Sequence, residues 1–377
     1  MIKKSNKAMN ISKFDKNMEI KKADENGLVW HMPYEKPLKL AGFYWFDHDQ
    51  VYRRFPVKPQ FPLSEGVEGL SWCTAGGQIK FRTDSGKISL KVKLRDAGAM
   101  DHMAQTGMSG FDLYVGKPGK ETFYSVTRFP CGATEFTYEL FNSEVRKLRN
   151  FTINFPLYKG VNEVMIGLQD EAKIEAPPAY REKNPVVVYG TSITQGGCAS
   201  RPGSCWTNIL SRRLNTPFIN LGFSGSGRGE PEVAGNIALI EKPAMLVLDY
   251  EANGTAYGCI FEKTLPEFIS ILRAAHKKTP ILVISKTRYG QEALDVEPDN
   301  KSHRKNYREQ CKDFQQKLVK KLQKAGDKNI YFLDGSELLG KDYWECTVDN
   351  CHPTDFGFFR MADGIEPAIR KIIFKKK

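Results

Sequence analysis

The chain has 377 residues, of which 41% are hydrophobic and 11% aromatic, and its formal net charge is +12. This composition is ordinary for a globular protein and excludes a disordered or fibrous chain. Because a single hydrophobic core rarely grows beyond ~250–300 residues, the length predicts two domains.

Part of the positive charge lies at the two ends of the chain, and residues 1–34 are predicted to form a basic extension. The terminal lysines are Lys3, Lys4, Lys7, Lys13, Lys16, Lys21 and Lys22 at the start and Lys375, Lys376 and Lys377 at the end. Such lysines are typical of solvated tails, although a basic chain can also attract nucleic acid or an acidic polymer. Neither zinc-finger spacing nor an RNA-recognition motif is present, so no nucleic-acid partner is expected.

The sequence predicts neither a membrane span nor an export signal. No apolar run reaches the ~20 residues of a membrane helix, and the basic start lacks the apolar stretch of a secretory signal. We therefore expect a protein inside the cell, or an exported one whose signal has been removed. The oligomeric state is not predicted.

The eight cysteines leave the redox environment open. They show no C-x-x-C spacing, which argues against a zinc ribbon or a thioredoxin-type site. Two pairs could form disulfides in an oxidising compartment, namely Cys198 with Cys205 and Cys346 with Cys351. Buried free thiols are the favoured alternative.

The first predicted domain, residues 35–178, has the pattern of a β-sandwich. Residues 78–83 and 88–94 alternate apolar and polar side chains, and turn-forming residues separate them, which predicts a hairpin. Further strands are predicted at 111–115, 121–129, 151–157 and 163–168. Many short strands with few helical stretches between them are typical of an antiparallel sandwich.

The second predicted domain, residues 184–377, follows a proline-containing linker and has an α/β pattern. Its continuous apolar runs are typical of strands buried on both faces, and they lie at 185–189, 218–221, 244–248, 281–284 and 330–333. Helix-length amphipathic stretches lie between or after them, at 206–214, 261–277, 306–325 and 357–373. This alternation predicts a parallel sheet covered by helices.

The loop after the first of these strands carries a candidate nucleophile, Ser192. Open α/β sheets bind ligands at the carboxyl ends of their strands, so each loop there is a candidate site. Glycine at Gly190 permits a sharp turn, and the amides of a following helix can hold an anion beside the serine. The alternative is that Ser192 and Thr194 only cap the helix, as Ser and Thr at such junctions commonly do.

The next two loops offer candidate oxyanion donors. Residues 220–227 contain Gly225, whose spacing fits neither a nucleophile elbow, nor a dinucleotide fingerprint, nor a phosphate loop. Residues 249–254 contain Asn253, whose side-chain amide is a suitable donor to a developing oxyanion. Because Asn-Gly is primarily a turn signal, Asn253 alone is weak evidence.

The last loop contains Asp349 and His352, three residues apart and just before the closing helix. A serine hydroxyl needs a base such as histidine, and a neighbouring carboxylate orients the ring and stabilises the imidazolium. An isolated Asp-x-x-His pair is usually structural, or occasionally binds a metal. The other five histidines share no ligand spacing with it and are predicted to be surface or core residues; they are His31, His48, His102, His276 and His303.

Taken in order, Gly190-x-Ser192, Gly225, Asn253 and Asp349-x-x-His352 resemble the blocks of the SGNH (GDSL-type) hydrolase superfamily. Two of these blocks depart from the family pattern: Thr191 stands where Asp is usual, and Ala252-Asn253-Gly254 stands where Gly-Asn-Asp is usual. The segment 189–203, together with Gly110-Phe111-Asp112-Leu113-Tyr114, resembles the branch that carries an N-terminal GxDLY domain. The resemblance covers residues 35–377.

This resemblance implies a flavodoxin-like three-layer hydrolase domain preceded by a β-sandwich domain. It also implies an acyl transfer in which Ser192 attacks an ester, with His352 as base and Asp349 as its partner. The amides of Ser192 and Gly225 and the side chain of Asn253 would form the oxyanion hole. No metal or organic cofactor is expected.

The resemblance further implies a short acyl group, acetyl above all, carried by a carbohydrate or a similar small ester. The aromatic residues Tyr44, Trp45, Phe46 and Trp72 could stack on sugars, although core packing is the favoured interpretation. No extended apolar lid is visible, which disfavours a lipase. Two alternatives stay open, a carbohydrate O-acyltransferase and a non-catalytic glycan-binding protein.

Overall fold

The computed structural model describes residues 22–256, 260–294 and 298–374, with Ser302 described by its backbone only. The first part of the basic extension, Lys375–Lys377 and Cys259 lie outside these residues. Among the described residues, no helix combines the length and the apolar character needed to cross a membrane.

The first half of the chain folds into two antiparallel sheets. Its strands are β1 (Leu28–His31), β2 (Lys39–Ala41), β3 (Gln78–Thr83), β4 (Lys87–Leu94), β5 (Asp112–Val115), β6 (Thr122–Val126), β7 (Glu135–Asn142), β8 (Arg149–Asn154), β9 (Val161–Gln169) and β10 (Ile174–Glu175). One sheet has the order β1-β9-β4-β7, and the other has the order β10-β3-β8-β5-β6 with β2 also paired to β3.

The apolar faces of the two sheets pack against each other. The alternation along β4 buries Ile88, Leu90 and Val92 in one cluster with Phe81 and Ile153 of the other sheet. Side chains one position away, such as Lys91, point to solvent. This arrangement confirms the predicted β-sandwich.

The second half of the chain folds into a five-stranded parallel sheet. Its strands are β11 (Val186–Gly190), β12 (Phe218–Gly222), β13 (Met245–Asp249), β14 (Ile281–Ile284) and β15 (Ile330–Leu333). The strand order is β12-β11-β13-β14-β15, which is the flavodoxin-like order with a switch point beside the first strand. The predicted α/β fold is confirmed.

Helices cover both faces of the parallel sheet. The α-helices of the described residues are α1 (Phe46–Asp49), α2 (Glu65–Leu70), α3 (Gln105–Met108), α4 (Ser192–Gln195), α5 (Trp206–Leu214), α6 (Pro231–Ala238), α7 (Glu251–Gly254), α8 (Phe261–Ala275), α9 (Lys305–Lys324) and α10 (Asp355–Ile373). Val186 and Val188 face the core that α5 and α10 complete. Val187 and Tyr189 face the core that α6, α8 and α9 complete.

The two halves share their hydrophobic cores. Phe55 and Val67 lie in the same buried cluster as the β11 residues Val187 and Tyr189. On the other face of the sheet, Leu157 packs into the cluster that contains α5. The division into domains at residues 35–178 and 184–377 stays a prediction.

The register of the parallel strands brings their carboxyl ends together. Gly190 at the end of β11 pairs with Gly222 of β12 and with Asp249 of β13. The three loops that follow these strands therefore start side by side, and they are the loops that contain Ser192, Gly225 and Asn253.

Candidate active site

The loop after β11 places Ser192 at the first residue of α4. Thr191 caps this helix, and its Oγ1 accepts a hydrogen bond from the backbone N–H of Ile193 at 3.3 Å. Gly190 is needed because a Cβ there would lie 2.0 Å from Thr194 Oγ1 and 2.7 Å from the Asp249 carbonyl oxygen. The helix cap is therefore Thr191 and not Ser192. The Ser192 hydroxyl makes a different contact.

The partner of the Ser192 hydroxyl is His352. The distance from Ser192 Oγ to His352 Nε2 is 2.8 Å, and the opposite ring nitrogen, Nδ1, lies 2.7 Å from Asp349 Oδ2. Asp349 Oδ1 accepts the backbone N–H of His352 at 2.7 Å. The carboxylate therefore holds both the ring and the main chain of the histidine, which is the arrangement of a serine, base and orienting acid.

The hydrogen bonds at Asp349 favour its charged form. Partial burial acts to raise the pKa of this carboxyl, but the donors on His352, backbone and ring, outweigh it and hold the pKa below its usual value. Asp349 is therefore ionised at neutral pH. An ionised carboxylate at Nδ1 keeps the proton on that nitrogen and leaves the Nε2 lone pair facing Ser192.

Gly225 and Asn253 lie around the same cavity as Ser192. Gly225 has a φ of +67°, a backbone conformation that glycine adopts readily. Asn253 belongs to the short helix α7 and is 7% exposed. Its Nδ2 is 3.4 Å from the carbonyl oxygen of Phe223, a weak contact that leaves the amide free to bind a stronger acceptor.

The cavity has a volume of about 470 Å³, within the range of small-molecule sites. It contains all five residues that the sequence predicted for the site. Its lining residues are Ser192, Ile193, Ser224, Gly225, Ala252, Asn253, Ala256, Tyr289, Asn300, His303, Asp349, Cys351 and His352. Most of these side chains are polar, which suits a polar substrate.

Three residues that sequence reasoning missed support the loops, the buried Gln195 and Asn220 and the half-buried Tyr158. Gln195 Oε1 accepts the N–H of Ser224, beside Gly225, at 3.0 Å. Asn220 Nδ2 donates to the carbonyl oxygen of Thr194 at 2.7 Å. Tyr158, from the first half of the chain, lies 3.4 Å from the Ser192 carbonyl oxygen. Gln195 stands in the motif segment itself, whereas no sequence signal indicates Tyr158.

Two of the histidines predicted to be surface or core residues lie close to the candidate site, and both are half-buried. His303 lines the cavity. The ring of His102 lies 5.4 Å from the ring of His352, centroid to centroid. His102, Cys198 and His352 form a group that could hold a metal ion. The sequence pattern could not predict this group, because its three residues are far apart in the chain and only the fold brings them together.

The four aromatic residues considered for sugar stacking do not line the cavity. Phe46 is buried in the sandwich core, and Tyr44 and Trp45 pack against the core beside the parallel sheet. Trp72 lies between the guanidinium groups of Arg53 and Arg95. Tyr44, Trp45 and Phe46 therefore pack in or against a hydrophobic core, whereas Trp72 packs against the two arginines.

The cysteines considered for disulfides are free thiols. Cys198, Cys205 and Cys346 are buried, and Cys351 is half-buried. Cys346 Sγ donates to backbone carbonyl oxygens in its own loop rather than bonding to Cys351.

The GxDLY-like segment joins the sandwich to the loop that follows α4. Asp112 is fully buried and its Oδ2 accepts the N–H of Gly203 at 2.7 Å. Its other oxygen accepts Asn154 Nδ2 at 2.7 Å. Arg201 donates to the hydroxyl of Tyr114 and lies 3.4 Å from Asp112. The motif thus binds the chain eleven residues after Ser192 and orients that loop.

Known proteins match both halves of the chain. A family model for the GDSL-like lipase/acylhydrolase family matches residues 183–370, and a model for the GxDLY N-terminus of SGNH-hydrolase-type esterases matches residues 28–174. None of the curated proteins compared matches the chain.

Solved structures of similar fold cover nearly the whole chain. A GDSL-like lipase structure from Bacteroides ovatus is 30% identical, with a TM-score of 0.79 over 93% of this chain and 99% of that one. The salicylyl-acyltransferase SsfX3 of a tetracycline biosynthetic pathway is 20% identical, with a TM-score of 0.72 over 92% and 98%. A family two carbohydrate esterase from Cellvibrio japonicus is 12% identical, with a TM-score of 0.59 over 92% and 98%.

The last two of these similarities concern the fold alone. The first covers both halves at once, in agreement with the two family models and with the order of the site residues along the chain. The chain therefore belongs to the GDSL-like lipase/acylhydrolase family, in the branch with a GxDLY domain at the N-terminus.

Proposed function

We propose that the protein is a serine ester hydrolase that removes short acyl groups, acetyl above all, from a carbohydrate or a similar small ester. The observation that carries this proposal is the 2.8 Å contact between Ser192 Oγ and His352 Nε2, with Asp349 on the opposite ring nitrogen. Family membership supports ester hydrolysis as the reaction class.

In the proposed mechanism, His352 removes the hydroxyl proton as Ser192 attacks the ester carbonyl. The negative charge that develops on the carbonyl oxygen is stabilised by the amides of Ser192 and Gly225 and by the Asn253 side chain. Each such donor typically lowers the barrier by roughly 3–4 kcal/mol. His352 then protonates the leaving alcohol, and a second cycle with water releases the acid.

The character of the cavity supports a small polar substrate. A volume of about 470 Å³ accommodates an acylated sugar, and Asn300, His303 and Tyr289 offer hydrogen bonds to its hydroxyl groups. Ile193, Ala252 and Ala256 supply the apolar part of the lining, enough for a short acyl chain. The family two carbohydrate esterases share the fold and act on carbohydrates, as their name states.

A second candidate function is acyl transfer to an alcohol. The fold of the salicylyl-acyltransferase SsfX3 spans nearly the whole chain, and an acyl-enzyme on Ser192 can react with an alcohol in place of water. A non-catalytic glycan-binding protein is disfavoured, because such a protein has no need of the complete Ser192, His352 and Asp349 arrangement.

The test is a screen of p-nitrophenyl acetate and acetylated sugars with the wild-type chain, Ser192→Ala and Ser226→Ala. Ser226 lies in the loop after β12, beside the loop that contains Ser192, but it does not line the cavity. Its alanine variant is therefore the matched control. We expect Ser192→Ala to lose nearly all activity and Ser226→Ala to retain it. Full activity in Ser192→Ala would refute the serine mechanism.

The same screen separates the remaining parts of the proposal. Asn253→Ala should lower kcat by about 10²–10³ with a smaller change in KM, because its donor acts on charge that forms in the transition state. Product analysis with a sugar alcohol present distinguishes the two reactions: free acid indicates hydrolysis, and a transferred acyl group indicates the acyltransferase.

A further inference from the structure

Three side chains of types that commonly bind metals lie close together, and one of them is the proposed base, His352. His102 comes from the first half of the chain, Cys198 from the loop after α4, and His352 from the loop before α10. One ligand atom of each lies within 4.8 Å of the other two. Cys198 is buried and both histidines are half-buried.

Both histidines are oriented by carboxylates through the same ring nitrogen. His352 Nδ1 lies 2.7 Å from Asp349 Oδ2, and His102 Nδ1 lies 2.9 Å from Asp101 Oδ1. Nε2 is therefore the nitrogen of each ring opposite its carboxylate, and in His352 it also contacts Ser192 Oγ at 2.8 Å, so a metal there would displace that contact. A carboxylate on the far nitrogen is the usual support of a metal-binding histidine.

Two imidazoles and a thiolate select zinc-type divalent ions over Mg²⁺ or Ca²⁺, which prefer oxygen ligands. Ligand atoms on a tetrahedral zinc are about 3.3–3.8 Å apart, given bonds of about 2.0–2.3 Å. The ligand atoms of the three side chains lie within 4.8 Å of one another, so binding requires them to move closer together. The three side chains would leave the fourth coordination position of a tetrahedral ion open for water.

We propose that His102, Cys198 and His352 bind a zinc-type ion, and that this ion inhibits the esterase by occupying the Nε2 lone pair of His352. Binding releases the Cys198 thiol proton to solvent and leaves Ser192 without its base. The binding part stands on the cluster alone, whereas the inhibition rests on the proposed function.

The binding part is tested without any esterase activity, by calorimetric titration of Zn²⁺ into the full-length Ser192→Ala protein. We expect one ion per chain, with an affinity at least 10-fold lower when Cys198→Ser or His102→Asn is added. Co²⁺ in place of Zn²⁺ should give a thiolate charge-transfer band that Cys198→Ser abolishes.

Matched controls come from elsewhere in the chain. His48 has the same pairing, with Nδ1 2.7 Å from Asp49, and Cys131 is an exposed thiol; neither belongs to the cluster. His48→Asn and Cys131→Ser should leave the titration unchanged. If these controls weaken binding as much as the cluster variants, or if Cys198→Ser and His102→Asn leave the affinity unchanged, the site is refuted.

The inhibition part is tested on the active enzyme with p-nitrophenyl acetate. Zn²⁺ should inhibit the wild type reversibly, with activity restored by a chelator, whereas Mg²⁺ should not inhibit. Relative to each variant's own metal-free rate, Cys198→Ser and His102→Asn should need at least 10-fold more Zn²⁺. Binding without inhibition would overturn the competition for His352, and a chain with no esterase activity would still give the calorimetric result.

Discussion

Thr191, which stands where the family usually has aspartate, caps the helix that begins at Ser192. Its side-chain oxygen accepts the N–H of Ile193, so the helix that starts at Ser192 has an N-cap. The residue is 2% exposed, and a neutral hydroxyl satisfies the amide there without burying a charge. The departure from the family pattern therefore leaves the geometry of Ser192 intact.

Asp249, at the end of β13, is expected to make stability depend on pH. Burial raises the pKa of its carboxyl to about 7, the hydrogen bond from Thr194 opposes the shift, and nearby Glu251 adds to it. Since the pKa in the folded state lies above the ordinary value of 3.8, folding binds a proton between these two pH values. The free energy of unfolding contributed by this group therefore falls as pH rises from about 4 to 7, and is level above that.

Asp249→Asn should remove this loss, because the amide is neutral and its oxygen can still accept from Thr194. The free energy of unfolding of Asp249→Asn minus that of the wild type should therefore be larger at pH 8 than at pH 4, by about 2–4 kcal/mol. Urea unfolding at several pH values measures the difference. The exposed Asp170→Asn serves as the control, and a difference between Asp249→Asn and wild type that is the same at every pH would contradict the assignment.

The chain positions of the candidate site residues could be predicted, because each of them stands beside the end of a buried apolar strand or just before the last helix. Ser192, Gly225 and Asn253 follow three strands whose carboxyl ends align, and Asp349 binds His352 within one local turn. His102 and Tyr158 could not be found in this way. These two residues come from the first half of the chain and lie near the site because the two halves pack together. No local sequence pattern predicts such packing.

At the scale of elements, the long and strongly patterned segments match the prediction closely. The helix expected at 206–214 is α5, Trp206–Leu214, and the strand expected at 78–83 is β3, Gln78–Thr83. The prediction missed the strand β7 and the helix α6, which have eight residues each, as well as the short strands β2 and β10, which have three and two residues. The strand conformation of β2 and β10 depends on pairing with β3, remote in sequence, rather than on their own pattern.

The contact between β5 and the loop after α4 should be important for stability. Asp112→Ala would leave the N–H of Gly203 and the Nδ2 of Asn154 without their acceptor inside the protein, and Arg201 without its carboxylate. Breaking one side of such a buried group typically costs about 3–5 kcal/mol. Urea unfolding should show a loss of this size, together with a lower kcat in the folded fraction.

Asp96→Ala is the matched control for that measurement. Asp96 also pairs with a cation, Lys159, but its side chain is 54% exposed, and surface pairs contribute roughly 0–1 kcal/mol. If both variants lost the same free energy of unfolding, the buried contact of Asp112 would contribute no more to stability than the surface pair of Asp96.

At the scale of the whole molecule, buried contacts join the two halves of the chain. Phe55 stacks on Phe223 with ring centroids 5.5 Å apart. The buried Arg54 donates to the carbonyl oxygens of Gly222 and Leu70, and so joins the end of β12 to the first half. The loop that carries Gly225 is thus supported from outside the parallel-sheet half.

Residues 184–377 produced alone should therefore aggregate or remain inactive, although they contain every residue of the proposed mechanism. Without the first half, Val187, Tyr189 and Phe223 lose the cover of Phe55 and Val67, and exposed apolar patches of this kind cause association. Solubility, near-ultraviolet circular dichroism and p-nitrophenyl acetate hydrolysis would be compared with the full chain. Supplying residues 1–178 in trans should restore part of the activity, since the contacts between the halves are non-covalent. A soluble 184–377 fragment with cooperative unfolding and wild-type kcat would show instead that the sandwich is dispensable for the site.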